Sequence, residues 1–151
     1  MVDMPDMQED TVKIRRGKRT DFPALATLLT PGLPCEANKT RARHWRRLAS
    51  DPSHDFYVAE QAGTLRGMVL VCYIHELRRP GWQAILDIVA PSPAECGIGQ
   101  ALLAFARERA RQRGCQRLLM CISEGEGNER GDSLVPPEFR RVGEVLSCEV
   151  A

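Results

Sequence analysis

The sequence lacks a charge excess, a long apolar run and any metal-binding spacing. In 151 residues, 21 Lys and Arg stand against 20 Asp and Glu, a net charge of +1. Such a balance supplies no field to draw the chain onto nucleic acid or a membrane surface. No apolar stretch approaches the roughly 20 residues of a transmembrane helix. Residues 1–10 are polar and acidic, where a secretory signal has a basic start and an apolar centre. Cysteines stand at 35, 72, 96, 115, 121 and 148 without a C-x-x-C pair, and His44, His54 and His75 complete no zinc pattern. The expectation is a cytoplasmic protein with reduced thiols packed as small apolar residues, with no metal, no nucleic-acid partner and no membrane.

What is present reads as one α/β domain over residues 11–151 behind a flexible tail of residues 1–10, with no internal repeat. Residues 12–16 alternate as a short strand. Thr20 or Asp21 caps a helix with Phe22, Leu25, Ala26, Leu28 and Leu29 on one side, stopped by Pro31-Gly32. Residues 38–50 form an arginine-rich helix with Trp45 and Leu48 as its apolar contacts. Two strands, 55–61 and 65–77, flank the turn Ala62-Gly63-Thr64 and read as a hairpin. After the turn Arg78-Arg79-Pro80-Gly81, residues 82–90 are almost continuously apolar, as in the centre of a sheet. A helix over 99–113 lines up Leu102, Leu103, Ala106 and Ala110 and ends at Gly114. Its crossover makes the next strand, 116–122, parallel to its predecessor. A polar loop over 123–134, a short helix opened by Pro136 or Pro137 and closed by Gly143, and a last strand over 144–150 complete the expectation.

The chemistry is concentrated where the apolar strand 82–90 runs through Pro91-Ser92-Pro93-Ala94-Glu95-Cys96 to Gly97-Ile98-Gly99-Gln100-Ala101. Glycines at a strand-to-helix turn let the backbone approach a phosphate. The free N–H groups and positive dipole end of the helix then supply binding energy. This segment, with the order of elements around it, resembles the acyl-CoA pyrophosphate loop of the GNAT N-acyltransferase superfamily. The family's loop pattern, Gln/Arg-x-x-Gly-x-Gly/Ala, stands here as Ala94-Glu95-Cys96-Gly97-Ile98-Gly99. Both glycines match, Ala94 replaces the basic or amide residue, and Glu95 adds a negative charge. The resemblance implies a single domain with a mixed central sheet flanked by helices, and acetyl-CoA or another acyl-CoA as cosubstrate. It implies acyl transfer to a primary amine of a small molecule or protein. It also implies cofactor contacts from the Val89 backbone and from Glu95, Cys96, Gly97, Ile98, Gly99, Gln100 and Ala101.

A second motif of the family, Asn-x-x-Ala-x-x-Phe-Tyr-x-x-x-Gly-Phe, is matched by residues 132–144, where only Gly143 is retained. Phe139 stands in place of the tyrosine that protonates the departing thiolate in many members, and it has no proton to give. Candidates for the general base are Asp87, Glu76, His75 and Tyr73. Asp87 is the foremost, since burial in an apolar strand would raise its pKa. Cys96 at a helix N-terminus is either a reactive thiol or, the favoured reading, a small filler. Arg41, Arg43, Arg46 and Arg47 either bind an acidic substrate or the cofactor's 3′-phosphate or, the favoured reading, form a solvated helix face. Another class stays open: a degenerate family member that binds acyl-CoA or a protein partner without turnover. The last strand leaves an unpaired apolar edge, which favours a homodimer.

Overall fold

The computed structural model describes residues 11–29, 35–89, 96–121, 137–143 and 146–150. The tail at 1–10 and the polar loop at 123–134 lie outside the described residues, as do Pro136, Ala94 and Glu95. Five strands form one sheet in sequence order: β1 (Lys13–Arg16), β2 (His54–Gln61), β3 (Thr64–His75), β4 (Trp82–Val89) and β5 (Cys115–Met120). β1 to β4 pair antiparallel, and β5 joins β4 in parallel through a crossover helix. The helices are α1 (Phe22–Leu29), α2 (Cys35–Ser50) and α3 (Cys96–Gln112).

Alternation along the strands divides the core between the two faces of the sheet. Tyr57, Ala59, Val69, Val71, Ala84 and Leu86 meet the stripe Ile98, Leu102, Leu103, Ala106 and Ala110 of α3. Phe56, Val58 and Met68 point the other way, to Leu25 of α1 and Trp45 of α2. The arginine-rich α2 is held through Trp45, whose ring meets Phe56 edge-on at 4.1 Å and whose Nε1–H donates to the Lys18 carbonyl at 3.2 Å. Arg43, Arg46 and Arg47 are exposed, as a solvated face requires.

β2 and β3 meet through Ala62-Gly63, and Gly114 follows α3 at φ +78°, a left-handed stop suited to glycine. The end of the chain departs from expectation. Pro137-Glu138 make a turn where a short helix was expected, and residues 139–143 are irregular. Residues 146–150 form no strand; Leu146 and Val150 are 89% and 91% exposed. An alternating apolar pattern becomes a strand only where a neighbouring strand accepts its hydrogen bonds, and none among the described residues pairs with 146–150.

Candidate active site

The site is set by where β4 loses a neighbour. β5 accompanies β4 only from Trp82↔Cys115 to Leu86↔Met120, whereas β3 stays paired with it as far as Met68↔Val89. Among the described residues, Asp87, Ile88 and Val89 therefore have a partner strand on one edge only. An unpaired strand edge offers N–H and C=O groups to an extended ligand, as in strand addition.

Beyond this edge lies the start of α3. The helix begins at Cys96 rather than at Gly99, so both glycines belong to its first turn and not to a loop. The first-turn N–H groups of a helix have no carbonyl four residues back to bond, and they carry the positive end of its dipole. Here these are the amides of Cys96, Gly97 and Ile98. Those of Gln100 and Ala101 fall one turn further in, where helix geometry engages them with the carbonyls of Cys96 and Gly97.

Close packing holds this turn over the sheet. A Cβ on Gly67 of β3 would lie 3.0 Å from the Val89 carbonyl oxygen, 3.1 Å from Leu102 Cδ1 and 3.2 Å from Ile98 Cγ2. Only glycine at 67 lets α3 settle so close to the end of β4. Gly97, in contrast, is exposed, and an added Cβ would meet none of the described residues within 4 Å. Gly99 is buried and Gln100 exposed. An exposed first turn whose N–H groups have no carbonyl within the helix to bond fits a phosphate-bearing ligand such as acyl-CoA.

Asp87 lies on the face of β4 opposite α3, two positions before Val89, and it is exposed rather than buried. It stands beyond the last β4–β5 pair, and among the described residues it has no hydrogen-bond or ion-pair partner. The apolar run around it misleads because alternate residues of β4 face opposite ways. On the neighbouring strand, burial foremost and then the Asp87 charge hold the Cys72 thiol above its ordinary pKa.

The other candidates are elsewhere. Tyr73 opposes Ala84 and His75 opposes Trp82. At the rise of a strand these pairs lie about 17 to 23 Å from Val89. The Tyr73 hydroxyl donates to Asp55 Oδ2 at 2.7 Å, and burial together with that carboxylate raises its pKa. The His75 ring stacks on Trp82 at 3.6 Å between centroids. Glu76 accepts from Arg117 at 3.2 Å on each oxygen. Asp87 is thus the one of the four beside the cradle. Phe139 is half-buried and packs against the α3-side core, next to a 2.7 Å pair between Arg107 and Glu138.

Asp55 carried no signal in the sequence, yet it is wholly buried. Oδ1 accepts from Arg16 at 3.2 Å and Arg113 at 3.0 Å, and Oδ2 from Tyr73 and, at 3.4 Å, Arg109. Its partners are 18 to 58 residues away along the chain, so no local pattern could reveal it.

The model of the acetyltransferase (GNAT) family matches residues 22–130, whereas no curated protein matches the chain. Similar solved structures include a transcriptional regulator from Bacillus halodurans C-125, at 21% identity and a TM-score of 0.74, covering 93% of this chain and all of that one. Glucosamine-6-phosphate N-acetyltransferase from Arabidopsis thaliana aligns at 17% identity and a TM-score of 0.62, over 91% of this chain and 100% of that one. An aminoglycoside acetyltransferase from an uncultured soil metagenomic sample, in complex with sisomicin, aligns at 14% and 0.65, over 91% and 96%. These identities speak for the fold; the family match covers most of the chain. With the family model matching residues 22–130 and a five-stranded mixed sheet flanked by helices, the chain belongs to the GNAT acetyltransferase family.

Proposed function

We propose that this protein is a cytoplasmic N-acyltransferase that moves an acetyl or other acyl group from acyl-CoA to a primary amine of a small molecule. The observation that carries this reading is that the end of β4, Asp87–Val89, has a partner strand on one edge only among the described residues, with the first turn of α3 packed close to it over Gly67. The pyrophosphate of acyl-CoA would lie on those amides, and its amide-bearing arm along the Val89 backbone. Two similar structures are acetyltransferases named for an aminoglycoside and for glucosamine 6-phosphate, both amines, which supports a small-molecule acceptor.

In the proposed reaction the amine nitrogen attacks the thioester carbonyl carbon. A C–N bond forms, the C–S bond breaks, and CoA leaves as its thiolate. The amine's proton goes to the Asp87 carboxylate, which is close to the edge and open to solvent. Water protonates the thiolate, since Phe139 has no proton to supply. Most of the acceleration then comes from holding the two reactants together and from backbone N–H groups polarising the carbonyl.

A second reading, acyl-CoA binding without turnover, is favoured by Phe139, which serves the core where a catalytic tyrosine would be. Calorimetric titration with acetyl-CoA tests the binding that both readings share. Gly97→Val places its side chain in the open space before the cradle and disturbs no protein contact. The expected result is binding by wild type, weakened in the variant by about tenfold or more, or ~1.4 kcal/mol. Equal affinity in both, or none in wild type, rejects the site. Release of free thiol with a panel of amines then separates enzyme from binder.

A further inference from the structure

A cavity of about 320 Å³ opens at the other end of the molecule, where the last turn of α2 meets the start of β2 and Arg113 just past α3. Arg16, Ser50, Asp51, His54, Asp55 and Arg113 are among its lining residues. At the length of α3 it lies about 24 Å from the Gly97 amide. The acyl-CoA cradle therefore does not account for it.

The charges here do not cancel. Three guanidinium groups, from Arg16, Arg109 and Arg113, approach the one buried carboxylate of Asp55 within 3.4 Å. Asp51 is the other carboxylate among the described lining residues. Its carboxylate is engaged by the Ser53 N–H at 2.9 Å and the Ser53 hydroxyl at 2.7 Å, with His54 Nδ1 at 3.3 Å. Among the described residues of this cluster, three guanidinium groups against two carboxylates leave one positive charge in excess beside a half-enclosed space.

The two guanidinium groups that line the cavity are also held in place. Arg113 lies over the Tyr73 ring at 4.7 Å and Arg16 over the Tyr57 ring at 5.9 Å. Each gives one of its five N–H groups to Asp55 Oδ1. Ring below and carboxylate to one side fix two forks that converge on a single oxygen. Forks of this kind match the oxygens of a carboxylate or phosphate, and these contacts leave N–H groups of both side chains available to a ligand.

We propose that this cavity is an anion site, taking a phosphate or carboxylate group between Arg16 and Arg113. Such a group would draw a counter-charge to guanidinium groups that now repel one another across Asp55. The site is separate from the acyl-CoA cradle, but Arg109 and Arg113 tie it to the far end of the helix that forms the cradle.

The test is a titration of the full chain with inorganic phosphate at constant ionic strength, followed by amide ¹H–¹⁵N spectra, with sodium chloride as control. The expected result is saturable shifts at Gly17, Ser50, Asp51 and Asp55 that chloride does not produce. Arg16→Gln and Arg113→Gln should each weaken this binding by about tenfold. Should either substitution unfold the protein, Arg16→Lys keeps the charge on Asp55 and removes the fork, and it should still weaken binding several-fold. Shifts confined to Cys96–Ile98, shifts that chloride reproduces, or an unchanged affinity in folded variants would overturn the proposal. Acetyl-CoA binding is read at other amides, so its failure and the failure of this site are distinguishable.

Discussion

At the scale of single residues, three aspartates show how far burial departs from what neighbours in sequence suggest. Asp87, embedded among apolar residues, reaches solvent because it faces away from α3 beyond the end of β5. Asp55, in a polar stretch, is sealed by partners from β1, β3 and α3. Asp21, expected as a helix cap, accepts the Lys18 N–H at 2.7 Å and two Arg15 N–H groups at 2.8 Å, while Arg15 also reaches Glu60 at 2.9 Å. These Arg15 bonds hold the Asp21 carboxyl below its ordinary pKa of 3.8. A folded-state value below the unfolded one means that folding favours the ionised form. Its stabilisation is complete above about pH 4 and is lost as pH falls through the folded-state value. Asp21→Asn should cost about 2 kcal/mol at neutral pH, and its denaturation midpoint should fall less steeply on acidification than that of wild type. Equal acid slopes in urea titrations of the two proteins would refute this account.

At the scale of elements, legibility followed local geometry. The β2–β3 hairpin was legible because its turn lies between two alternating strands, and the structure closes it with Gln61↔Thr64 around Ala62-Gly63. The glycines suggest a loop up to Gly99, whereas α3 starts at Cys96, because their φ/ψ freedom includes the helix and the core stripe already begins at Ile98. The C-terminal strand was over-read because alternation alone carries no information about a partner. One turn residue remains poorly chosen for its place. Ala62 and Gly63 both have positive φ, 51° and 74°, as in a type I′ turn, whose first position favours asparagine. An L-alanine there costs about 1 kcal/mol. Ala62→Asn should therefore raise stability by about 0.5 kcal/mol, seen as a higher thermal midpoint by circular dichroism. An unchanged or lower midpoint would show that the turn stores no such strain.

At the scale of the whole molecule, the question is what covers the sheet's edges. The expected homodimer rested on a final strand at 144–150; residues 146–150 form none, and residues 144 and 145 lie outside the described residues. The edge passes instead to β5, which pairs with β4 alone among the described residues. Five of its six residues are half-buried, and its sequence, Cys115-Gln116-Arg117-Leu118-Leu119-Met120, carries neither proline nor lysine to blunt it. Its one charge, Arg117, is engaged by Glu76. An edge of this kind is a template for another strand, and β5 of a second, twofold-related copy satisfies its backbone groups by antiparallel pairing, whereas β4 pairs in parallel on the other edge. Light scattering at micromolar concentration should give twice the 16.9 kDa of one chain. Deleting residues 146–151 should leave that mass unchanged, since the association rests on β5. A monomeric mass in wild type would reject the dimer, and a dimer that dissociates on the deletion would return the interface to the C-terminal segment.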